Sequence, residues 1–350
     1  MNRDLGQRLE KIEAVLNAWL PASPDSAWAA RIFPGLGIET ELLESLVLPC
    51  RDLLSRGGKR WRPLLMALVC ETLGGGDAAL PLSPLVEFCH NASLIHDDIE
   101  DNSDQRRGGP ALHLVYGTDT AINSGSFFYF LPLACVRDAP AEQKARIFDI
   151  WGAYMRRLHM GQAMDIRWHR DFDSLPALDV YYTMCGLKTG CLARLAAVLG
   201  VLAALPAQGA QGPVEQLGTA AEKLGVGFQI LDDVKNLRTG LPGKKRGDDV
   251  VEGKKSLPVL LYLHGETVPG PRRALVSRCF GAARAGGISA PEVEELIAAL
   301  EAEGVMEQSL EQGYAMIREA AETFALPSIA GFRLEEEGRR LLAGLIGLIS

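Results

Sequence analysis

The spacing of apolar positions along the chain is helical almost throughout. Segments such as "RPLLMALVCETLGG", "PLVEFCHNASLIHDD" and "ARIFDIWGAYMRRLHMGQAMDI" repeat apolar residues at helical intervals, whereas alternating runs of the β type are scarce. Breaks fall at "GGGDAALPLS", "RRGGPA", "DSLPAL", "LPAQGAQGPV", "TGLPGKKRGDD" and "TVPGPRR", none long or biased enough for an interdomain linker. No fixed-period repeat is visible. The pattern therefore predicts an all-α protein, a single domain over 1–350 of roughly a dozen helices packed as a large bundle. Residues 1–50 form N-terminal helices, 51–260 carry the motifs and 261–350 form C-terminal helices. The final "APEVEELIAALEAEGVMEQSLEQGYAMIREAAETF" reads as ordinary helices packing on the bundle in preference to a coiled coil.

Composition narrows the picture. With 47% hydrophobic and 23% charged residues the chain is globular, and a net charge of -8 argues against general nucleic-acid binding, which leaves a basic footprint. The seven cysteines (50, 70, 89, 135, 185, 191 and 279) are scattered and contain no CxxC pair. Neither a disulfide framework nor a zinc site is indicated, and a reducing cytoplasm is the simplest compartment. The N-terminal "MNRDLGQRLEKIEAVLNAWL" is charged and amphipathic, without the apolar run of a secretory signal. The most apolar stretch, "CLARLAAVLGVLAALP", is short and carries Arg194, so a buried helix is expected and no membrane span.

Candidate chemistry lies in two acidic clusters. In "IHDDIED" the carboxylates of Asp97 and Asp101 stand four apart on one helix face, with Asp98 between them. Such oxygens suit Mg²⁺, which binds one or two carboxylates and completes its octahedron with water and substrate phosphate. A solvated acidic helix end fits this motif equally well. The second cluster, "GFQILDDVKNL", repeats the spacing with Asp232, Asp233 and Asn236, the amide replacing the last carboxylate and adding no charge. Two such helix ends facing each other would hold divalent ions, and through them a highly anionic ligand. Basic residues follow each cluster: Arg106 and Arg107 after the first, Lys244, Lys245, Arg246, Lys254 and Lys255 after the second. "SRGGKRWRP" and "LKTG" add Lys59, Arg60, Arg62 and Lys188 beside glycines that let backbone approach a ligand.

With these motifs in order ("GGKRWRP", "HNASLIHDDIEDNSDQRRGGPALH", "GQAMDI", "KTG", "GFQILDDVKN", "GKKRGDDVVEGKKSLP"), the chain resembles the trans-isoprenyl diphosphate synthases, the polyprenyl synthetase family, over roughly residues 50 to 260. "INSGSFFYF" and "LHMGQAMDIRW" resemble segments of its geranylgeranyl diphosphate synthases, among which a DDxxN second motif is known.

The resemblance implies a Mg²⁺-dependent prenyltransferase that condenses isopentenyl diphosphate with an allylic diphosphate, giving geranylgeranyl diphosphate (C20), and a homodimer. Lys59, Arg62, His90 and Arg107 would bind isopentenyl diphosphate; Arg106, Lys188, Thr189, Gln229, Lys244 and Lys254 would bind the allylic diphosphate. Asp97, Asp101 and Asp232 would ligate three Mg²⁺ ions, supported by Asp98, Asp233, Asp249, Gln162 and Asp165. Gln162, carbonyls near Lys188 and Thr189, and the Phe228 ring would stabilise the allylic cation. Ala92, five residues before Asp97, is too small to stop the growing chain, so Tyr129, Phe130 and His159 would form the floor. The alternatives are a C15 or longer-chain synthase, a class I terpene cyclase, or a non-catalytic partner subunit. A cyclase has no need of Lys59, Arg62 and His90, and a silent subunit would be expected to lose one aspartate cluster.

Overall fold

The computed structural model describes residues 3–240 and 245–349. They are helical nearly throughout, as the apolar spacing predicts; the strands among the described residues are two two-residue pairs, Gln105–Arg106 with Gly109–Pro110 and Ser328–Ile329 with Phe332–Arg333. The chain forms two compact units. The first runs up to Tyr154 and takes in Arg194–Gly218 and Phe324–Leu348; the second comprises Met155–Ala193 and Thr219–Thr323.

In the first unit the helix Trp61–Thr72 is apolar on nearly every side, and every residue in it except Glu71 is buried. A helix hydrophobic all round belongs in the middle of a core. Each fully buried Leu or Val contributes about 1.5–3 kcal/mol. The helix Ser83–Glu100 is buried along its first half and emerges at its acidic end, packing on Thr118–Phe130. That gradient carries the "HDDIED" motif out of the core.

Two sharp turns in this unit need left-handed backbone. Gly57 and Gly58 take φ of +86° and +142° ahead of Trp61–Thr72, and Arg60, at φ +47°, precedes its first turn. In the hairpin joining Gln105–Arg106 to Gly109–Pro110, the two central residues, Arg107 and Gly108, lie at φ +50° and +76°. Positive φ at both positions is the demand of a type I′ turn, which glycine meets freely and arginine meets only under strain.

The second unit builds its core from Val234, Leu237, Phe280, Leu296, Ile297 and Leu300, with Trp168, Tyr181, Val226, Ile230 and Leu260 forming an adjoining cluster. The expectation for the last third holds in form: Pro271–Gly286, Pro291–Ala302 and Val305–Ala325 are separate helices, the first two packed together. The apolar stretch, expected to be short, belongs instead to a 27-residue helical run, Leu178–Ala204, of hydropathy 1.6 in its most apolar window. By length and composition it could cross a membrane, yet 67% of that window is buried in the protein, as befits a core helix. The run is interrupted by a π-helical turn at Gly186–Gly190, a distortion that proteins commonly reserve for functional sites.

The seven cysteines are thiols outside any disulfide; six are buried and Cys135 is half-buried. Burial pushes the thiols of Cys70 and Cys279 up to about 11 and those of Cys89, Cys135 and Cys185 up to about 12.

Candidate active site

In the first unit, Asp97 and Asp101 are half-buried while Asp98, between them, is turned inward and 1% exposed. Arg106 Nε donates to Asp98 Oδ1 at 2.8 Å, and its Nη2 reaches the same oxygen. One carboxylate of the cluster thus holds the hairpin, and Asp97 and Asp101 stand half-buried at the end of the helix. Arg107, the next residue, bonds to neutral acceptors: its Nη1 donates to Asn91 Oδ1 at 2.8 Å and to the Leu53 carbonyl at 3.3 Å. Burial, partly offset by Glu87 and reinforced by Arg60 and Arg106, lowers its pKa to about 10, so it stays charged at neutral pH. His90 is half-buried; desolvation and then the charges of Arg62, Arg107, Arg106 and Arg60 push its imidazole well below the usual value. It is neutral at pH 7 and fit to donate one hydrogen bond.

Lys59 is exposed, and Arg62 is 7% exposed with its guanidinium 4.5 Å from the centre of the Trp61 ring. Arg60, grouped with them by sequence, belongs elsewhere. It is 4% exposed and donates to Glu13 Oε1 (2.7 Å), Glu87 Oε1 (2.8 Å) and the carbonyls of Gly57 (3.1 Å) and Leu54 (2.6 Å). Four of its five N–H groups are committed to protein. It braces the turn that presents Lys59 and Arg62.

The second unit holds a connected polar network. Lys188, on the π-helical turn, donates to Asp165 Oδ2 at 2.6 Å, and His169 Nε2 lies 2.9 Å from the other oxygen. Burial alone would raise the Asp165 carboxyl, but Lys188 and His169 outweigh it and hold it well below the usual range. Thr189 Oγ1 donates to Gln229 Oε1 at 2.9 Å, and Gln229 Nε2 to Asp233 Oδ1 at 2.7 Å. The same Asp233 oxygen receives Lys254 Nζ at 2.8 Å, with Asp249 3.5 Å from that ammonium and the Tyr181 hydroxyl 3.4 Å from Asp233 Oδ2. Desolvation opposes the Lys254 charge, but Asp233, Asp249 and Asp165 hold its pKa well above the ordinary lysine value. Asp232 stays half-buried beside the inward Asp233, repeating the arrangement of the first cluster. Gln162 and Phe228 are half-buried on helices of the same unit.

The surroundings of three further groups differ from what the spacing suggests. Asn236, considered as an amide stand-in for a metal ligand, is 0% exposed; its Oδ1 accepts the Asp249 N–H at 3.2 Å and its Nδ2 donates to the Lys245 carbonyl. It braces the segment leading to Asp249 and leaves its oxygen turned from any ion. Arg246 is also occupied, donating to the Arg238 carbonyl and pairing with Glu294. The expected chain-length floor is divided: Ala92 (0% exposed) and Tyr129 (8%) are interior, whereas Phe130 is 63% exposed and His159 is exposed. A phenyl ring that far into solvent cannot close an interior channel of its own chain. Lys244 lies outside the described residues.

Several contributors went unassigned in the sequence: Glu87 and Asn91 behind Arg107, His169 beside Asp165, and Tyr181 beside Asp233. Two carried a local signal, since Asn91 stands four residues after Glu87 and His169 four after Asp165. Lys255 is a further case. It is 2% exposed, and its Nζ donates to the carbonyls of Trp168 (2.5 Å) and Asp171 (2.7 Å), closing the end of the Ala141–Arg170 helix while Lys254 points to the carboxylates.

Among the described residues no three His, Cys, Asp or Glu side chains converge on one point. Within the first unit the half-exposed Asp97 and Asp101, four apart on one helix, nevertheless suit a hard cation that takes its remaining oxygens from water and substrate, and Asp232 is likewise half-exposed in the second unit.

The polyprenyl synthetase profile matches residues 44–282. The chain is 34% identical to a geranylgeranyl pyrophosphate synthase of Eremothecium gossypii over 65% of its own length and 72% of the relative's. It is 37% identical to a geranylfarnesyl diphosphate synthase of Aeropyrum pernix, over 59% and 67% of the two chains. In structure it is similar to a geranylgeranyl pyrophosphate synthetase from Pyrococcus horikoshii Ot3, with a TM-score of 0.78 at 25% identity over 99% and 96% of the two chains.

Proposed function

The chain belongs to the polyprenyl synthetase family, and on that premise we propose that it acts as one catalytic domain, condensing isopentenyl diphosphate with an allylic diphosphate to give geranylgeranyl diphosphate. The allylic diphosphate leaves as pyrophosphate, the isopentenyl double bond attacks the resulting cation, and loss of a proton restores neutrality. Asp97, Asp101 and Asp232 would hold magnesium, which would supply positive charge to offset that of the departing group. Lys254, kept protonated among Asp233, Asp249 and Asp165, and Lys188, paired with Asp165, bring fixed positive charge to the same group without reorganising. Lys59, Arg62 and Arg107 bind the second diphosphate, and alignment of the two substrates replaces a bimolecular encounter. Gln162 and Phe228 face the cation and limit water.

The observation that carries condensation over cyclisation is the charge around His90. Burial first, and then the charges of Arg62, Arg107, Arg106 and Arg60, depress that imidazole, and the gathering of four arginines is a concentration of positive charge that a one-diphosphate reaction does not require. We assign the protein to the cytoplasm and to a homodimer. The first unit supports the latter with a groove of about 470 Å³ lined by Phe33, Phe127, Phe130, Leu133 and Phe148, an apolar surface of the kind that a second copy covers.

The test is incubation with Mg²⁺, isopentenyl diphosphate and each of the C5, C10 and C15 allylic diphosphates, followed by chromatography of the dephosphorylated products. A C20 alcohol is expected. A cyclic hydrocarbon formed without isopentenyl diphosphate, or no product from any primer, would overturn the assignment.

A further inference from the structure

Behind the arginines of the first unit runs a buried chain of polar contacts that touches neither aspartate cluster. Glu13 Oε1 accepts from Arg60 Nε at 2.7 Å; Arg60 Nη1 donates to Glu87 Oε1 at 2.8 Å; Asn91 Nδ2 donates to the same Glu87 oxygen at 3.0 Å and to the Glu87 carbonyl at 2.7 Å. Asn91 Oδ1 then accepts from Arg107 Nη1 at 2.8 Å. Glu87 and Asn91 are 2% and 0% exposed, one helical turn apart on Ser83–Glu100.

The geometry points to Glu87 and Asn91 as positioning residues that aim Arg107 and the Lys59–Arg62 turn at one anion while leaving Arg107 with its charge unspent. This rests on the reading that those cations bind isopentenyl diphosphate.

The orientation of the Asn91 amide is fixed by its donors. Both of its N–H contacts go to Glu87 oxygens, so its carbonyl oxygen is the face left for the guanidinium. Reversing the amide would set N–H against N–H at Arg107 and oxygen against oxygen at Glu87. The tether therefore holds Arg107 by a neutral acceptor. Its neighbour Arg106 is held by the Asp98 carboxylate, so two adjacent arginines receive different partners: one is ion-paired, the other held by a neutral acceptor. That distinction matters because Arg107 sits in a left-handed turn, where the side chain must secure the strained backbone as well as meet a ligand.

Glu87 also acts on the opposite flank. Its carboxylate fixes Arg60, whose left-handed backbone orients the loop in which Lys59 precedes it and Arg62 follows two residues later. One buried carboxylate thus coordinates the two flanks of the proposed anion site. Its negative charge also tempers repulsion among Arg60, Arg62 and Arg107 before the anion arrives.

The experiment is steady-state kinetics of Asn91→Asp, Asn91→Leu and Glu87→Gln, varying each substrate in turn, beside Lys59→Ala as reference and with melting temperatures throughout. Asn91→Asp places a carboxylate against Arg107 and should raise KM for isopentenyl diphosphate about 10- to 100-fold, the ratio attached to a hydrogen bond with a charged group. KM for the allylic substrate should stay within about twofold, since removal of binding to one substrate leaves the other's KM in place. Asn91→Leu, which loses the tether without adding a competing charge, should show the same selectivity with a smaller rise. Glu87→Gln keeps shape, tests the chain from its other end and carries the question if Asn91→Asp does not fold. Equal movement of both KM values, or a fall in melting temperature with unchanged KM, overturns the positioning role. If Lys59→Ala raises the isopentenyl KM while none of the other variants does, only this inference falls. A wild-type protein that does not consume isopentenyl diphosphate removes the functional reading with it.

Discussion

Replacing Gly161 by alanine tests how the π-helical turn is held. A Cβ built on Gly161 would lie 2.4 Å from the Lys188 backbone nitrogen, 2.8 Å from the Leu187 carbonyl carbon and 2.9 Å from Leu187 Cβ. Favourable contact begins near 3.5 Å, so the helix and the turn must separate by about 1 Å. Two of the three obstructing atoms are backbone, so no side-chain rotation relieves the clash. If the turn moves as a unit, the 2.6 Å contact from Lys188 to Asp165 stretches to about 3.6 Å, beyond a hydrogen bond. Overpacking of this kind costs about 1–3 kcal/mol in stability. A displacement of about 1 Å at a reacting centre costs about 100-fold in turnover. Urea denaturation and kcat with saturating substrates measure the two effects. Gly281→Ala is the control: that exposed helical glycine has nothing within 4 Å of its built Cβ, so the change should add about 1 kcal/mol and leave kcat alone. A Gly161→Ala protein with wild-type urea midpoint and kcat within about twofold would show that the close approach positions nothing.

Asn236→Asp, which restores the acidic spacing on paper, should lower stability by about 3 kcal/mol, because it removes the donor to the Lys245 carbonyl and buries a charge beside Asp249; tighter magnesium dependence with unchanged stability would contradict this. Asp97→Ala and Asp232→Ala should each reduce kcat by about 100-fold or more with the fold intact, checked by circular dichroism and turnover at saturating Mg²⁺. Tyr129→Ala should lengthen the product, while Phe130→Ala alone should not, given 8% against 63% exposure; chromatography that ranks them the other way would place the floor at Phe130. Burial lowers the Lys255 ammonium to about 8, so between that pH and its unfolded value of 10.5 the unfolded chain binds the extra proton and stability rises with pH. The rise is at most about 3 kcal/mol, and Lys255→Met should remove it from urea midpoints taken between pH 7.5 and 10.5.

What could be read from the sequence was what is local. Helical periodicity produced the all-α class, and four-residue spacing put Asp97 with Asp101 at the open end of an otherwise buried helix. The partners of charged groups were not legible, because they are chosen by packing between distant segments. Arg60 and Arg62 share one short motif, yet only the contacts from Glu13 and Glu87 reveal that Arg60 is structural. Asn236 looked like a weakened ligand until its oxygen was found on the Asp249 amide, thirteen residues away. Phe130 and Tyr129 differ in exposure for a simpler reason. Neighbouring aromatics on a helix point about 100° apart, so Tyr129 and Phe130 cannot both face inward on a narrow buried face.

The buried thiols give each unit a chemical clock. Cys50, Cys70 and Cys89 are buried in the first, Cys185, Cys191 and Cys279 in the second, and a thiol sealed from solvent reacts only when its surroundings open. Timed alkylation followed by peptide mass spectrometry would therefore read the opening free energy of each unit separately, from native residues and without a label. With Cys135, the half-buried thiol, reacting first as an internal zero, the same measurement made with and without diphosphate would reveal which unit the ligand quiets.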